Sequence, residues 1–343
     1  MTARNVRSLE GRRARTRAMM LVISALSIMA ALVAMCLGAA RLPLGKVVGA
    51  IGGALRGEAA DTASTIVLGV RLPRVIASYL VGAALSVCGA CMQGLFRNPM
   101  ADPHLLGVSS GAALGVAVCS ILGAGVLRGM EGLMAFAFAV GAVALVMALA
   151  RVRGRVSTMS LMLAGIAVSS LLTAITSGLM VIDREHMEDV YMWTMGSFTA
   201  SNWDKLSVAA PVIVLGTLGI MAFARDLNAM LLGESDARQL GVQVRWVRLI
   251  LLALCTLITA TAVSISGVIG FVGLMAPHAM RLICGPDHRG LLPLSALAGG
   301  LYLLIMDTLA RTLLMPIEIP IGVLTSLVGG PFFLYLMRRR NKR

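Results

Sequence analysis

The 343-residue chain is 58% hydrophobic and only 13% charged, with a mean hydropathy of +0.88. No soluble domain of this size could hide so much apolar side chain in one core, which excludes an ordinary globular enzyme. The net charge of +14 would point to nucleic acid in a soluble protein. Here the basic residues sit between apolar runs without interleaved aromatics, so they report topology and no nucleic-acid partner is expected.

At roughly 20 residues per crossing the apolar stretches predict about ten spans with short loops, an all-α polytopic membrane protein. Residues 1–18 are a basic, solvated leader, 19–337 a single transmembrane domain and 338–343 a basic tail. The first apolar run, Met19 to Ala40, has no small-residue cleavage site and reads as a span. A wet loop with Arg41, Lys46, Arg56, Glu58 and Asp61 follows, and span two is predicted from Leu72 to Leu95, opening on Arg71-Leu-Pro-Arg74 with Pro73 in the first turn. Beyond a polar loop (residues 97–104), span three (Leu105 to about Leu122) carries Gly107, Ser109, Ser110, Gly111 and Gly115, small residues that favour close helix packing. Span four covers roughly Gly132 to Ala150 and ends on Arg151, Arg153 and Arg155; span five runs from Ser160 to Ile182. The wet stretch from Asp183 to Lys205, with Trp193 and Trp203, reads as interfacial or as a short re-entrant helix.

Span six, Leu206 to Ala224, leads into Arg225 to Gly241, a stretch that has to sit in water. Asp226 is placed to cap a short helix carrying Leu227, Met230 and Leu231, which Gly233 breaks. A second turn starts at Glu234 or Ser235, carries Ala237 and Leu240, and stops at Gly241. Apolar knobs among charges on two angled helices make either a docking surface for a soluble partner or an amphipathic segment lying on lipid. Span seven ends near Ser266, span eight is short and ends before Arg281, span nine runs from Leu291 to Ala310 and span ten from Pro320 to Met337. With both termini and the central loop inside, 21 of the 30 basic residues fall on the inner side and nine, including Arg128, on the outer, which the positive-inside rule favours. Met-Ala-Asp-Pro-His (100–104) echoes Met-Ala-Pro-His (275–278) five spans later, as inverted halves would.

Chemistry-bearing residues are few. No G-x-x-x-x-G-K-[ST] run occurs, so the chain is not expected to bind or hydrolyse ATP. Cys88 and Cys91 form a C-x-x-C without a second pair or histidine set, which favours packing over metal or redox work, and the four scattered histidines read as loop or packing residues. Asp307, four residues before Arg311, is the clearest ionisable group in a span, and its pairing reads as structural. Arg71, Arg74 and Arg311 gather at the outer side, either as interfacial anchors or as a basic surface for acidic groups of an extracytoplasmic partner.

The runs RLPR (71–74), GLFRNPMADPHLLGVSSGAALG (94–115), LGESDARQLG (232–241), GFVGLMAPHAMR (270–281), DHRGLLP (287–293) and IPIGVLTSLVGGPFF (319–333) closely resemble the FecCD-type membrane subunits of ABC importers for iron–siderophore complexes, cobalamin and haem. The resemblance covers nearly the whole chain beyond the leader. It implies the type II importer permease fold with an inverted repeat, a dimer with a second copy or a related chain, two ATPase subunits that bind ATP and magnesium, an extracytoplasmic substrate-binding protein, and residence in the inner or plasma membrane. It further implies that residues 226–241 are coupling helices, with Leu232, Gly233, Glu234, Ala237, Leu240 and Gly241 entering a groove of the ATPase. Arg71, Arg74 and Arg311 correspond to arginines that pair with glutamates of the binding protein, and spans five and ten line the path. No cofactor or catalytic residue is implied in this chain. An iron–siderophore complex is the expected cargo, with cobalamin or haem as alternatives. A secondary transporter working without ATPases is the competing class, and a membrane enzyme would need a polar catalytic cluster that the sequence does not offer.

Overall fold

The computed structural model describes residues 3–38, 40–57, 61–123, 129–152, 155–156 and 158–340. Glu58, Arg128, Arg153 and the end of the tail at 341–343 lie outside the described residues. The first helix, α1 (Ala3–Cys36), is unbroken: the leader is helical and runs straight into the apolar part, Ala14–Cys36. The loop expected next contains a short apolar helix, α2 (Leu44–Leu55).

Span two starts earlier than the sequence predicted. Asp61 accepts from the backbone N–H of Ser64 at 2.7 Å and caps α3 (Thr62–Ser64), which continues through a π-helical stretch, Thr65–Arg71, into α4 (Leu72–Leu95). A proline normally ends a helix on its N-terminal side because it lacks an N–H and crowds the carbonyl four residues back. The wider π turn in front of Pro73 accommodates both defects and lets the helix pass through.

The rest of the chain is α5 (Val108–Gly123) after a 3₁₀ turn at Pro103–Leu106, α6 (Glu131–Leu149), α7 (Thr158–Ile182), α8 (Met187–Thr194), α9 (Trp203–Ala222), α10 (Ala224–Leu232), α11 (Glu234–Gln239), α12 (Val244–Ser266), α13 (Val272–Cys284), α14 (His288–Ala310) and α15 (Ile321–Arg340). A two-residue hairpin, β1 (Arg151–Val152) against β2 (Arg155–Val156), turns the chain between α6 and α7. Among the described residues, seven helices are long and apolar enough to cross a membrane: α1, the α3–α4 unit, α6, α7, α9, α12 and α14. The shorter apolar helices α5, α13 and α15 complete the ten expected spans.

The α3–α4 unit is the centre of the bundle, 83% buried over its most apolar window, with α9, α12, α13 and α14 packed on it. Its small residues explain the position. A Cβ on Gly82 would collide with the carbonyl of Gly299 on α14, and one on Gly89 with the carbonyl of Gly273 on α13. Lipid tails are as apolar as leucine, so helices in a bilayer associate through such backbone-to-backbone packing. The expected tight face of span three is present as well: Gly111 and Gly115 of α5 face the carbonyls of Phe138 and Met134 on α6.

Between α12 and α13 the chain is not helical, and Phe271 adopts a left-handed φ of 67°. Irregular backbone next to lipid has to be satisfied by protein. His104 Nε2 donates to the carbonyl of Ile269 at 3.1 Å, and Ser109 bonds its Nδ1 at 2.5 Å. Gln93 Nε2 donates to the carbonyl of Gly273 at 3.2 Å. The packing role expected for the cysteines fits Cys88, Cys91 and Cys255, which are free thiols buried in the core.

Gly89→Ala is expected to cost about 1–3 kcal/mol by overpacking the α4–α13 contact. Gly141→Ala, where a Cβ meets nothing within 4 Å, should be neutral. Thermal unfolding in detergent compares the two, and equal midpoints would remove the close-approach argument.

Candidate functional site

Two clusters of polar side chains stand at opposite ends of α14. At the C-terminal end of α14, Arg74 in the first turn of α4 faces Asp307 in the last turn of α14. Its Nε and Nη2 donate to Asp307 Oδ1 at 3.0 and 2.9 Å, and Nη1 and Nη2 reach Glu318 Oε1 and Oε2 at 3.1 and 3.0 Å. A planar guanidinium with a fork of donors is the side chain suited to clamp two carboxylates at once. Glu318 sits in the turn before α15 and also accepts from Thr199 Oγ1 at 2.8 Å. Burial alone would raise its pKa, but the hydrogen bonds and charge of Arg74 hold it below the usual carboxylate value.

Arg71 and Arg311 do something different. Arg71 donates to the carbonyl of Met35 at 2.5 Å and to that of Ala40, and Arg311 donates to the carbonyl of Ala34 at 2.5 Å while its Nε stands 3.9 Å from Asp307. Ala34 and Met35 belong to the last turn of α1, whose carbonyls have no partner within the helix. Cations at a helix C-terminus satisfy those acceptors and complement the dipole. The three arginines are only 5, 8 and 7% exposed. In this chain the three guanidiniums are thus engaged with neighbouring chain segments, whereas Glu318 keeps 40% of its side chain exposed.

At the other end, α10 follows α9 directly and α11 follows after Gly233. Asp226 was expected to cap α10. It lies instead in the first turn, because the helix already begins at Ala224. Gly233 holds φ 137°, ψ 159°, a backbone state that only glycine enters freely, and this sets the angle between the two helices. Leu227 and Met230 are buried against the bundle, as the spacing predicted. Of the six expected docking residues, Leu232 and Leu240 are 66 and 64% exposed, Gly241 is exposed and Glu234 partly so. Gly233 and Ala237 are buried within the chain. Glu234 is bonded to Arg248 of α12 and lies 3.6 Å from Arg238. The hydrogen bond from Arg248, together with the charges of Arg248, Arg238 and Arg97, outweighs partial burial and holds its carboxyl below the ordinary value.

Asn228, on α10, was not singled out by the sequence. Its Oδ1 accepts from the backbone N–H of His288 at 2.9 Å, and its Nδ2 donates to Asp287 at 2.6 Å. One amide thus caps the start of α14 from a neighbouring helix, which no local spacing could signal. Between the two ends, a recess of about 510 Å³ opens between α5, α7 and the α12–α13 break, with Ser109, Ser169, Ser170 and His104 at its wall.

Residues 23–339 match the model of the FecCD transport family. The chain is 47% identical over 283 residues to a cobalamin import system permease protein, BtuC, of Halobacterium salinarum, covering 82% of this chain and 76% of that protein. It is 44% identical over 282 residues to the hemin transport system permease protein HmuU of Yersinia pestis, covering 80 and 84%. A solved structure described as an inward-facing conformation of a metal-chelate type ABC transporter superposes with a TM-score of 0.83 at 32% identity, over 94% of this chain and 99% of that one. A second, PsaBC from Streptococcus pneumoniae, has a TM-score of 0.55 at 19% identity over 84 and 94% of the two chains, a likeness of fold alone. With ten apolar spans in the order this fold requires and a match that runs almost from end to end, the chain belongs to the FecCD transport family, as a permease of the type II ABC-importer fold.

Proposed function

We propose that this protein is the membrane subunit of an ATP-driven importer that moves a bulky metal chelate by alternating access. The observation that carries this reading is the α10–α11 elbow, which is anchored on its inner face by Leu227, Met230, Ala237 and Asn228 yet presents Leu232 and Leu240 outward. A rigid mount with exposed apolar knobs fits a groove of a soluble ATPase better than a segment dissolved in lipid, since its remaining surface is charged. ATP and magnesium then belong to two partner ATPases, and the chain itself supplies no covalent chemistry. It works as a dimer with a second copy or a related chain, in the inner or plasma membrane, with both termini and the elbow in the cytoplasm.

Asp307, the clearest candidate for a proton relay, is committed to Arg74, which weighs against a secondary transporter. Relatives named for cobalamin and hemin, at 47 and 44% identity, favour a metal–tetrapyrrole cargo, ahead of the iron–siderophore complex expected from the motifs. A path lined by α7 and α15 is supported by the hydroxyl-bearing recess beside α7 and by the low burial of α7, 17% over its most apolar window. The substrate-binding protein docks at the outer end, where Arg71, Arg74 and Arg311 act by holding the rim rather than by touching it.

Leu232→Asp together with Leu240→Asp is expected to leave the permease folded and to cut ATP-dependent uptake of labelled cobalamin or haem at least tenfold, because both side chains are free of internal contacts of consequence. Uptake at the wild-type rate would refute the docking role. At the outer end, Arg71→Glu with Arg311→Glu should first reduce folded yield, since it removes the donors to the α1 carbonyls and places acid beside Asp307. A well-folded double variant that has lost only its stimulation by the binding protein would restore direct docking by these arginines.

A further inference from the structure

At the end of the bundle that carries the elbow, a cavity of about 520 Å³ opens between the start of the α1 span, α10 and the α13–α14 corner. Arg17 and Arg289 line it, with Met20 and Leu231 as its apolar wall. Both arginines are exposed, and neither has an acidic partner among the described residues. Asp287, the acid among the described lining residues, is turned towards α10 and the α14 start: its Oδ1 accepts from Asn228 Nδ2 at 2.6 Å and from the backbone N–H of Arg289 at 3.0 Å. A third guanidinium, Arg281, stands one helical turn before Cys284, another lining residue. Basic residues at this end follow from the positive-inside rule. That rule does not account for a cavity beneath two of them.

The apolar surroundings choose between soluble and lipid anions. Arg17 shares one stripe of α1 with Leu21 and Ile28, which are 73 and 65% exposed and can only face hydrocarbon or another apolar surface. A ligand with its charge between Arg17 and Arg289 and its tails along that stripe satisfies both halves of the site. We propose that this cavity is a headgroup site for an anionic phospholipid of the adjoining leaflet, its phosphate held between Arg17 and Arg289 and its acyl chains laid along α1. Because Asn228 and Leu231 of α10 form the opposite wall, the lipid braces α1 against the elbow. This bracing role, unlike the binding itself, rests on the ATP-driven reading given above.

The test uses the full-length chain purified in a neutral detergent and exposed to an equal mixture of phosphatidylglycerol and phosphatidylcholine, with retained lipid read by native mass spectrometry. The wild type should keep phosphatidylglycerol selectively. Arg17→Gln with Arg289→Gln should weaken retention about fivefold for each arginine removed, the effect of one basic residue at an anionic surface, and Arg17→Lys with Arg289→Lys should largely preserve it. Absence of preference for phosphatidylglycerol in the wild type, or unchanged retention in the glutamine variant, overturns the site. A glutamine variant that no longer elutes like the wild type leaves the decision to the wild-type preference and the lysine variant, whose loss of retention would also overturn it. Displacement of phosphatidylglycerol by inorganic phosphate at equal concentration would reassign the cavity to a soluble anion and end the lipid proposal. Retention needs no ATPase, so loss of uptake with retention intact counts against the importer reading and leaves the lipid site standing.

Discussion

Asp307 is wholly buried near the C-terminal end of α14, and a lone carboxylate there would be untenable in low dielectric. Arg74 makes it tolerable with three hydrogen bonds and then extends the same guanidinium to Glu318. Breaking such a pair from one side leaves an uncompensated charge, at a cost of about 3–5 kcal/mol. The clamp fixes more than two residues. It joins α4 to α14, both of them to the turn before α15, and through Thr199 to the segment before α9. Arg71 and Arg311 finish the job on α1 by taking up its last carbonyls. Arg71, Arg74, Asp307, Arg311 and Glu318 are together engaged in joining five pieces of chain.

The N-terminal end of α14 is held by a different chemistry with the same outcome. Asn228 closes the first turn of α14 from α10, and the Glu234–Arg248 bond ties α11 to α12. The elbow is stiffly mounted on the spans, with buried Leu227, Met230 and Ala237 beneath and two polar links at its sides. α14 thus carries the Arg74 clamp at one end and the Asn228 link at the other, so a single helix joins the two clusters.

How much of this was legible follows from the range of each signal. Hydropathy depends on one residue at a time, so the ten spans were readable, including the short α13. Caps and starts depend on near neighbours and were read less well: Asp61 as the real start of span two was missed, because Pro73 looked like the beginning of a helix and a π turn leaves no mark in sequence. Asp226 looked like a cap only because the direct continuation of α9 into α10 could not be seen. The roles of Arg71 and Arg311 were out of reach, since their acceptors are main-chain carbonyls that no side-chain pattern encodes. Arg74 and Glu318 are partners across 244 positions, and a single sequence carries no trace of such a pair. Within the elbow, spacing identified the buried Leu227 and Met230, but it could not tell that Ala237 faces inward while Leu240 faces out.

The same packing that holds the centre together locates where movement has to occur if this permease alternates between two access states. The backbones of α4, α13 and α14 approach closely at Gly82–Gly299 and Gly89–Gly273, with Ser86 and Leu303 packed beside the first contact, so sliding one past another would force carbonyls against Cα atoms. Close-packed cores switch between discrete arrangements and do not deform continuously. These helices must therefore travel as one body. α7 is buried over only 17% of its most apolar window, against 83% for the α3–α4 unit, and α15 exposes Leu327 and Leu334 at 66 and 67%. α7 and α15 therefore keep exposed faces that the α3–α4 unit largely lacks, and the Arg74 clamp holds the segment before α15 to α4 and α14.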